Sequence, residues 1–386
     1  MNLQLMMNDR VFSDGEIEHY SRQFALPQFG PEAQEKLKNA RVLVVGSGGL
    51  GSPLLLYLAA AGVGRIGIVD FDRVDASNLH RQVIFDSDQI GKPKVLAAKN
   101  RLERINPYIR ILTYEERLTS ANALHLIAQY DVVADGTDNF PTRYLVNDAC
   151  VLAGKPNVYG SVYQFEGQVA VFNFRDKSGG IGPNYRDIYP SPPPAGLVPN
   201  CAESGILGVL PGIIGSMQAL EVIKVITGIG EVLSGKMALF DALGFSSRVF
   251  VVKRRPDNPL NGDRPTQKSL IDYQAFCGLD QLAESKGISV EKFHELELST
   301  EPYQLIDVRE PYEYQRVNIG GLSLPLSRLE EVVGQIDRDK KVVVHCEMGS
   351  RSARAIQLLE KKHGFTNLIN LRGGIQAYLA NYPASR

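Results

Sequence analysis

A glycine-rich segment that follows a short apolar run is the first part of this sequence able to do chemistry. The segment, directly after residues 41–45, contains four glycines: Gly46, Gly48, Gly49 and Gly51. Glycines let the backbone approach phosphate groups, and the N-terminus of the helix expected next favours their negative charge. Asp70 ends the following strand, where a carboxylate can accept hydrogen bonds from ribose hydroxyls. This pattern predicts a nucleotide site, and it fits nicotinamide, flavin and adenine nucleotides alike.

Polar residues further along favour one of these nucleotides. Asn78 and Arg81 lie in the run SNLHRQ, and Lys94 ends the run GKPK. An enzyme that attacks ATP at its α-phosphate needs several such donors, because negative charge builds up on the departing pyrophosphate. Asp138 follows a later predicted strand, at the sheet edge where ligands bind, and its carboxylate suits the Mg²⁺ that accompanies ATP. The set indicates ATP and Mg²⁺.

A second segment able to do chemistry begins at Cys346. Residues 346–352 read CEMGSRS and lie between an apolar strand-like run and a predicted helix. Such a loop directs its backbone N–H groups at one point with the helix dipole behind them, which favours a thiolate or an anion carried on the sulfur. Phosphatases and sulfurtransferases both use this arrangement. Phosphatases need an arginine six positions after the cysteine; here Arg351 is five positions after it, which predicts a smaller cradle suited to a persulfide.

Composition excludes several classes of protein. The 386 residues suit two domains, and a net charge of -1 gives no electrostatic reason for nucleic acid or an anionic membrane as partner. We find no secretion signal and no uninterrupted apolar run of roughly 18 residues, so we expect a cytoplasmic protein that does not span a membrane. The cysteines are far apart and are expected to act as thiols if they act at all: Cys150, Cys201, Cys277 and Cys346.

The pattern of apolar runs predicts an α/β protein with two domains. Short strands alternate with amphipathic helices over residues 41–135, which is typical of a Rossmann-like, mostly parallel sheet covered on both faces. A polar, turn-rich stretch at 254–265 ends this domain, and a smaller α/β unit follows. The predicted boundaries are residues 1–265 for the first domain, 266–287 for a linker and 288–386 for the second domain.

Five motifs in the first domain together resemble the ubiquitin-activating superfamily. They are GSGGLGS, SNLHRQ, GKPK, DGTDNF and PNCAESGILGVLPGIIGS, and the resemblance spans residues 14–256. The nearest branch is the molybdopterin-synthase and thiamine-biosynthesis adenylyltransferases. The resemblance implies that the substrate is a ubiquitin-like sulfur carrier protein ending in Gly-Gly. It implies contact of Asp70 with the ribose, of Asn78, Arg81 and Lys94 with the phosphates, and of Asp138 with Mg²⁺.

The same resemblance assigns roles to two further residues. Arg22 matches an arginine that reaches into the active site of a partner subunit, which implies a homodimer. Cys201 matches the active-site cysteine on a crossover loop above the nucleotide. A thiolate there could attack the activated carbonyl or form a disulfide link to the carrier.

A structural zinc site found in many relatives is missing from this sequence. Its two Cys-x-x-Cys pairs correspond here to Asn184 and Asp187, and to Asn258 and Asn261. Structural tetrahedral zinc prefers thiolate or imidazole ligands, so no zinc site is expected. We expect hydrogen bonding and packing to replace the metal.

Residues 288–383 resemble the rhodanese family, which implies that Cys346 carries a persulfide. Asp307 and Arg309 are expected to organise the loop through charge-assisted hydrogen bonds. Glu347 departs from the basic or neutral residue common in rhodaneses. Beside the nucleophile it would repel thiosulfate, which favours a protein persulfide, such as that of a cysteine desulfurase, as sulfur donor.

These features predict an enzyme that adenylates the C-terminal glycine of a sulfur carrier and converts it to a thiocarboxylate. A nicotinamide-dependent oxidoreductase is the first alternative, and the Arg81, Lys94 and Asp138 set speaks against it. A non-catalytic scaffold that binds a carrier is the second, and both expected active-site cysteines speak against that. Carriers of molybdopterin, thiamine, tRNA-thiolation, cysteine and siderophore pathways all fit the sequence.

Overall fold

The computed structural model describes residues 11–193, 205–278 and 287–382. The chain divides into two compact units, with the division after Tyr273. Each unit has its own sheet and its own core, and each is described by itself.

The first unit is built on one eight-stranded sheet. Its strands are β1 (Arg41–Val45), β2 (Arg65–Val69), β3 (Arg110–Tyr114), β4 (Val132–Asp135), β5 (Asn157–Tyr163), β6 (Glu166–Phe172), β7 (Lys236–Asp241) and β8 (Ser246–Val251). Their order is β3-β2-β1-β4-β5-β6-β7-β8. The strands from β3 to β5 are parallel, and the last three are added antiparallel. The predicted Rossmann-like fold is confirmed.

Helices precede the sheet and connect its strands, and a last short helix begins at the division between the two units. They are α1 (Asp14–His19), α2 (Ser21–Phe24), α3 (Gly30–Asn39), α4 (Gly51–Ala61), α5 (Lys94–Ile105), α6 (Ala123–Ala128), α7 (Phe140–Ala153), α8 (Tyr185–Ile188), α9 (Val209–Thr227) and α10 (Tyr273–Phe276). Short 3-10 helices cover Ala76–Asn78 and Ser87–Gln89. The apolar central strands are buried, and residues of α3, α4, α5 and α9 pack with them in one core.

Among the described helices, α9 alone is long and apolar enough to cross a membrane by length and composition. It packs against α4 and against β5 and β6, and it buries the polar side chains of Gln218 and Glu221. These contacts are those of a core helix.

The second unit has a five-stranded sheet that is parallel throughout. Its strands are β9 (Gly287–Ile288), β10 (Tyr303–Asp307), β11 (Leu322–Ser323), β12 (Lys341–His345) and β13 (Leu368–Leu371). The order is β11-β10-β12-β13-β9. Its helices are α11 (Val290–Leu298), α12 (Pro311–Arg316), α13 (Ser350–His363) and α14 (Gly374–Asn381), with 3-10 helices at Leu326–Arg328 and Val333–Gln335. This is the small α/β domain expected from the sequence.

Part of the segment predicted as a linker is bonded to the first unit. The Gln267 side-chain amide and the Tyr273 hydroxyl donate to the Asp148 carboxylate, at 2.9 and 2.8 Å. Ser120 Oγ donates to the carbonyl of Ile271 at 2.7 Å. The boundaries at 265 and 288 stay predictions, and these contacts show how the chain just after 265 is held.

Candidate active sites

The glycine segment forms a tight turn between β1 and α4. Gly46 has φ +88°, which favours glycine. A Cβ at Gly51 would lie 2.0 Å from the carbonyl oxygen of Gly46, so a side chain there would collide with the turn. A Cβ at Gly46 would lie 3.1 Å from the carbonyl oxygen of Gly136, which brings the end of β4 against the same turn. Backbone amides at the N-terminus of the 11-residue helix α4 therefore border a space suited to phosphates.

Asp70 at the end of β2 fixes this glycine loop directly. Its Oδ2 accepts hydrogen bonds from Ser47 N and Ser47 Oγ, at 2.8 and 2.7 Å. Its Oδ1 accepts from Asp72 N at 2.9 Å. Sequence reasoning assigned Asp70 to the ribose and missed Ser47, although a hydroxyl inside a glycine loop is a visible signal for such a contact.

Asn78 and Arg81 lie beside the loop. The side-chain amide of Gln82 donates to Asn78 Oδ1 at 2.7 Å, and the Asn78 amide nitrogen donates to Ser77 Oγ at 3.1 Å. Arg81 Nη1 donates to the carbonyl of Ser77 at 3.2 Å and lies 2.7 Å from His80 Nε2. The Cδ of Arg81 is 3.6 Å from where a Cβ of Gly49 would be, so this arginine reaches the glycine loop.

Lys94 opens α5 and is nearly buried. Its Nζ donates to Asp72 Oδ2 at 2.9 Å, and the Asp72 side chain is about half exposed. A buried cation held by one accessible carboxylate can exchange that partner for a phosphate at modest cost. Lys94 is thus tied to the Asp70–Asp72 segment and through it to the loop.

Asp138 follows β4 and is exposed. No hydrogen bond or ion pair of its side chain occurs within residues 11–193, 205–278 and 287–382, so its carboxylate is open to a ligand. Nearby Asp135 is fully buried: its Oδ1 accepts from Thr137 N and Oγ1, whereas its Oδ2 has no hydrogen-bond partner among the described residues. Burial raises the pKa of Asp135 above its ordinary value. The glycine cradle, the cations and this free carboxylate together fit ATP with Mg²⁺.

Two residues predicted for this site are not brought to it by the described part of the chain. Arg22 lies on α2, exposed, and makes no hydrogen bond or ion pair within the described ranges. Cys201 lies outside the described residues. The other predicted positions converge on one loop: Gly46, Gly48, Gly49, Gly51, Asp70, Asn78, Arg81 and, through Gly136, the segment of Asp138.

The four positions that replace zinc ligands hydrogen-bond to one another. Asp187 Oδ1 accepts from Asn258 Nδ2 at 2.7 Å, and Asp187 Oδ2 accepts from the backbone N–H of Asn184 at 2.7 Å. Asn184 Nδ2 donates to Asn261 Oδ1 at 2.9 Å. The expected hydrogen bonding is therefore observed. Amide and carboxylate groups already paired in this way do not fit tetrahedral zinc.

The Cys346 loop of the second unit closes around the sulfur. Cys346 is fully buried, and its Sγ accepts from Gly349 N at 3.1 Å and lies 3.5 Å from Ser352 Oγ. The first N–H groups of α14 hold the loop from the other side: Ile375 N donates to the Cys346 carbonyl at 2.8 Å, and Gln376 N donates to the Glu347 carbonyl at 3.1 Å. The carbonyls of Cys346 and Glu347 thus face α14, while the Gly349 amide points at the sulfur.

Two ion pairs hold the loop to the rest of the unit. Buried Arg309 contacts Asp307 through Nε and Nη2, with the shortest distance 2.7 Å, and Glu347 through Nη1 at 3.1 Å. Burial opposes the charge of Arg309, but the bonds to Asp307 and Glu347 outweigh it and raise the guanidinium pKa. Arg351 binds both carboxylate oxygens of Glu313, at 2.6 and 2.7 Å. Sequence reasoning missed Glu313, which lies far from Arg351 along the chain.

The remaining described cysteines are buried. Cys150 lies buried within α7, and burial raises its pKa well above the ordinary value. Cys277 follows α10 and is also buried. Neither is a candidate nucleophile on this geometry.

Comparison with known proteins assigns both units. Residues 20–261 match the ThiF family, and residues 289–381 match the rhodanese-like domain. The probable adenylyltransferase/sulfurtransferase MoeZ of Mycobacterium tuberculosis is 47% identical over 376 residues, covering 95% of this chain and 94% of its own. The adenylyltransferase and sulfurtransferase MOCS3 of Sus scrofa is 42% identical, covering 96% and 87%.

A shorter relative and a solved structure match the first unit. The sulfur carrier protein adenylyltransferase of Thermus thermophilus is 56% identical over 264 residues, covering 68% of this chain and 97% of its own. The crystal structure of E. coli MccB has a TM-score of 0.53 at 22% identity, covering 66% of this chain and 74% of that one, which supports the fold alone. The chain belongs to the ThiF family, with a rhodanese-like domain following on the same polypeptide.

Proposed function

We propose that this chain adenylates the C-terminal glycine carboxylate of a ubiquitin-like sulfur carrier protein with ATP, and then converts it to a thiocarboxylate with sulfur carried on Cys346. The observation that carries the proposal is the pairing of two anion-directed loops on one chain, at Gly46–Gly51 and at Cys346–Ser352. Relatives that combine both domains are named adenylyltransferase/sulfurtransferase, which supports the same pairing of activities.

In the first reaction, a carboxylate oxygen of the carrier attacks the α-phosphorus of ATP and pyrophosphate leaves. Arg81, Asn78 and Lys94 supply donors for the phosphate oxygens, and Asp70 keeps the glycine loop in position through Ser47. Mg²⁺ would be held by Asp138 and would offset phosphate charge. Donors fixed before the reaction stabilise the charge that develops on the pyrophosphate.

In the second reaction, the terminal sulfur of a Cys346 persulfide attacks the acyl carbon and AMP leaves. The carrier is then joined to Cys346 through an acyl disulfide. Attack on the Cys346 sulfur by a second thiolate, which we assign to Cys201, releases the thiocarboxylate and leaves a Cys201–Cys346 disulfide. A cellular dithiol must reduce that disulfide before the next cycle.

An exposed apolar edge of the first sheet suits the carrier. β8 is the end strand, and its side chains are exposed along its whole length. Phe245 in the β7–β8 turn is 85% exposed, and Val249 and Val251 are also exposed. A contiguous apolar patch on an open strand edge is typical of surfaces that bind another protein by adding a strand. We assign this edge to the carrier.

We assign a homodimer on two further observations. A groove of about 750 Å³ beside Arg81 is lined by apolar side chains, among them Val83, Val209 and Leu220, each more than half exposed. Arg22 has no partner within the described ranges, and a second copy could bring it to the nucleotide. A second copy covering the groove would bury this surface and complete the site.

The remaining assignments concern location and other molecules. We place the protein in the cytoplasm, with ATP and Mg²⁺ as its requirements and no zinc. The sulfur donor is assigned to a protein persulfide, such as that of a cysteine desulfurase. Nucleic acid is not a partner, because the chain is close to neutral, with a net charge of -1.

The decisive experiment is exchange of radiolabelled pyrophosphate into ATP, with and without a Gly-Gly-ending carrier protein. We expect exchange that requires both the carrier and Mg²⁺, and its near-complete loss in Asp138→Ala. The matched control is Asp176→Ala, an exposed aspartate in a surface turn, which should keep full exchange. Full exchange in Asp138→Ala, or exchange that ignores the carrier, would overturn the proposal.

A further inference from the structure

The buried side chain of Gln218 joins helix α9 to the two strands that lead to the nucleotide site. Its Nε2 donates to the backbone carbonyl of Asp135 at 2.7 Å and to that of Val158 at 3.1 Å. Asp135 is the last residue of β4 and Val158 lies on the neighbouring strand β5. Gln218 is fully buried, and its Oε1 has no hydrogen-bond partner in the described part of the chain. A polar side chain at this depth without full satisfaction costs stability, so packing alone does not explain it.

Glycines at three positions, Gly160, Gly215 and Gly49, let α9 approach the strands and the glycine loop closely. A Cβ at Gly160 on β5 would lie 2.3 Å from Gln218 Cδ, so only glycine leaves room for the amide. A Cβ at Gly215 on α9 itself would lie 2.3 Å from the carbonyl oxygen of Leu50, at the start of α4. Pro211, also on α9, borders the position of a Gly49 Cβ at 3.2 Å. One rigid helix thus contacts both the glycine loop and the end of β4.

We propose that Gln218 is a positioning residue for adenylation: it holds the end of β4 so that the Asp138 carboxylate meets the metal-bound phosphates of ATP on the glycine loop. The inference rests on the proposed function and concerns the same site. Asp138 lies three residues after the carbonyl that Gln218 holds, and its own side chain has no tether within the described ranges. A shift of this segment by about 1 Å is enough to lose most of a coordinating contact.

The first test compares two buried glutamines. Gln34 on α3 is also fully buried and donates from Nε2 to the backbone carbonyl of Ala61 at 2.9 Å. Its Oε1 likewise finds no hydrogen-bond partner within the ranges that the structure describes. Gln218→Met and Gln34→Met therefore remove the same kind of bond at matched burial. A merely structural role predicts that both variants lower the melting temperature and do nothing else.

The readout is calorimetric binding of a non-hydrolysable ATP analogue to the full chain, with and without Mg²⁺. We expect Gln218→Met to reduce the gain in affinity that Mg²⁺ brings by about fivefold or more, since the carboxylate is displaced, and to leave metal-free binding within about twofold. Gln34→Met should keep the wild-type gain. Equal gains in all three proteins would overturn the inference.

A second variant covers the case in which Gln218→Met does not fold. Gly160→Ala keeps the glutamine but pushes its amide off the two carbonyls, so we expect the same loss of the Mg²⁺-dependent gain. If the Gly160→Ala variant showed the same Mg²⁺-dependent gain in affinity as the wild type, the result would count against the role of Gln218. Failure of the wild type to bind the analogue at all would instead count against the proposed function, so the two failures are distinguishable.

Discussion

The two loops of this chain share one plan and differ in how their charges are held. In both, a buried strand leads into a glycine-containing turn and then into the N-terminus of a helix, at Gly46–Gly51 and at Cys346–Ser352. Around the first, Lys94 is held by an accessible carboxylate and Asp138 stands exposed. Around the second, Arg309 and Arg351 are held by paired hydrogen bonds, and the sulfur is buried.

This difference follows the size of the group that each loop serves. A nucleotide with its metal brings several charges, and residues that bind it must exchange partners on binding. A single sulfur atom needs little room, so the loop around it can be held in place by ion pairs before the sulfur is loaded. The first site is built for exchange of ligands, and the second for retention of one reactive atom.

The largest expected effect is a complete loss of the reaction at the Cys346 loop with the reaction at the glycine loop retained. Cys346→Ala should abolish thiocarboxylate formation, because no persulfide can form, and should leave carrier-dependent pyrophosphate exchange within about twofold of wild type. Mass spectrometry of the carrier and the exchange assay measure the two steps. Loss of exchange in Cys346→Ala would show that the sites are not separable. Cys150→Ala serves as the cysteine control and should keep both steps.

The second prediction tests whether Arg22 of a second subunit completes the nucleotide site. Arg22→Ala and Asp138→Ala should each be inactive, whereas a 1:1 mixture should recover about a quarter of wild-type exchange, since half of the dimers are mixed and each has one intact site. Unequal tags on the two variants allow mixed dimers to be isolated and assayed directly. Inactive mixed dimers would show that Arg22 does not act in the partner's site.

The third prediction concerns the charge of Glu347, next to Cys346 in the sulfur loop. Glu347 is paired with Arg309, and its carboxylate repels dianionic donors such as thiosulfate. Glu347→Arg should raise thiosulfate-to-cyanide sulfur transfer several-fold at low salt, and salt should reduce the gain as it screens the attraction.

Controls for this test come from the same loop. Met348 is 65% exposed, and Met348→Gln should leave the rate unchanged because it alters no charge. Glu347→Gln should give a gain between those of wild type and Glu347→Arg. Equal low-salt rates for wild type and Glu347→Arg would refute the role of Glu347 in choosing the donor while leaving that of Cys346 intact.

The fourth prediction concerns His345, directly before the cysteine. Its ring is buried, its Nε2 lies 3.8 Å from Asp307 Oδ2, and neither ring nitrogen has a hydrogen-bond partner among the residues that the structure describes. Burial, aided by Arg309 against the opposing effect of Asp307, lowers its pKa to about 4. The unfolded chain binds a proton near pH 6.5 and the folded chain does not, so stability should fall as pH drops from about 6.5 to about 4, by roughly 3 kcal/mol at most.

Hydrogen exchange of β12 peptides at fixed denaturant measures this local loss, and His345→Asn should flatten it. Glu313, whose pKa is lowered by Arg351 against the effect of burial, contributes stability that is lost as pH falls below its ordinary value of 4.5, so its window lies at more acid pH. The same steep dependence in His345→Asn would exclude His345 as the cause.

The smallest expected effect is a null result at the position of the missing zinc. Elemental analysis of protein purified without added metal should find no stoichiometric zinc, and a chelator should leave the melting temperature unchanged. Asp187→Ala should lower it, because three hydrogen bonds to that carboxylate are lost. Stoichiometric zinc would show that the ligands lie elsewhere in the chain.

Much of the fold was predictable because local patterns dominate it. The apolar run at 41–45 coincides with β1, and the predicted alternation of strands and helices over 41–135 is observed, since burial on both faces or on one face leaves a clear periodicity. β7 and β8 were not identified, because β8 is an exposed edge strand and the residues of its neighbour β7 are at most half-buried, so neither carries such a pattern.

The predictable part of the site consisted of residues inside recognisable motifs. Asp70, Asn78, Arg81 and Lys94 were named in advance, and the family and its paired activities were confirmed by comparison with relatives. Ser47, Gln82, Glu313 and Gln218 were missed. Each acts through a contact that exists only once the chain has folded, as when Gln218 meets Asp135, 83 positions away.

The hydrogen bonds from α14 to the Cys346 loop can form only after the C-terminal end of the chain has been synthesised. The amides of Ile375 and Gln376, which hold the carbonyls of Cys346 and Glu347, are made almost thirty residues after the cysteine. Until these residues emerge from the ribosome, the sulfur loop lacks the hydrogen bonds that hold its carbonyl side. A chain that stops before Gly374 would therefore carry an unshielded thiol, open to oxidation and to mixed disulfides.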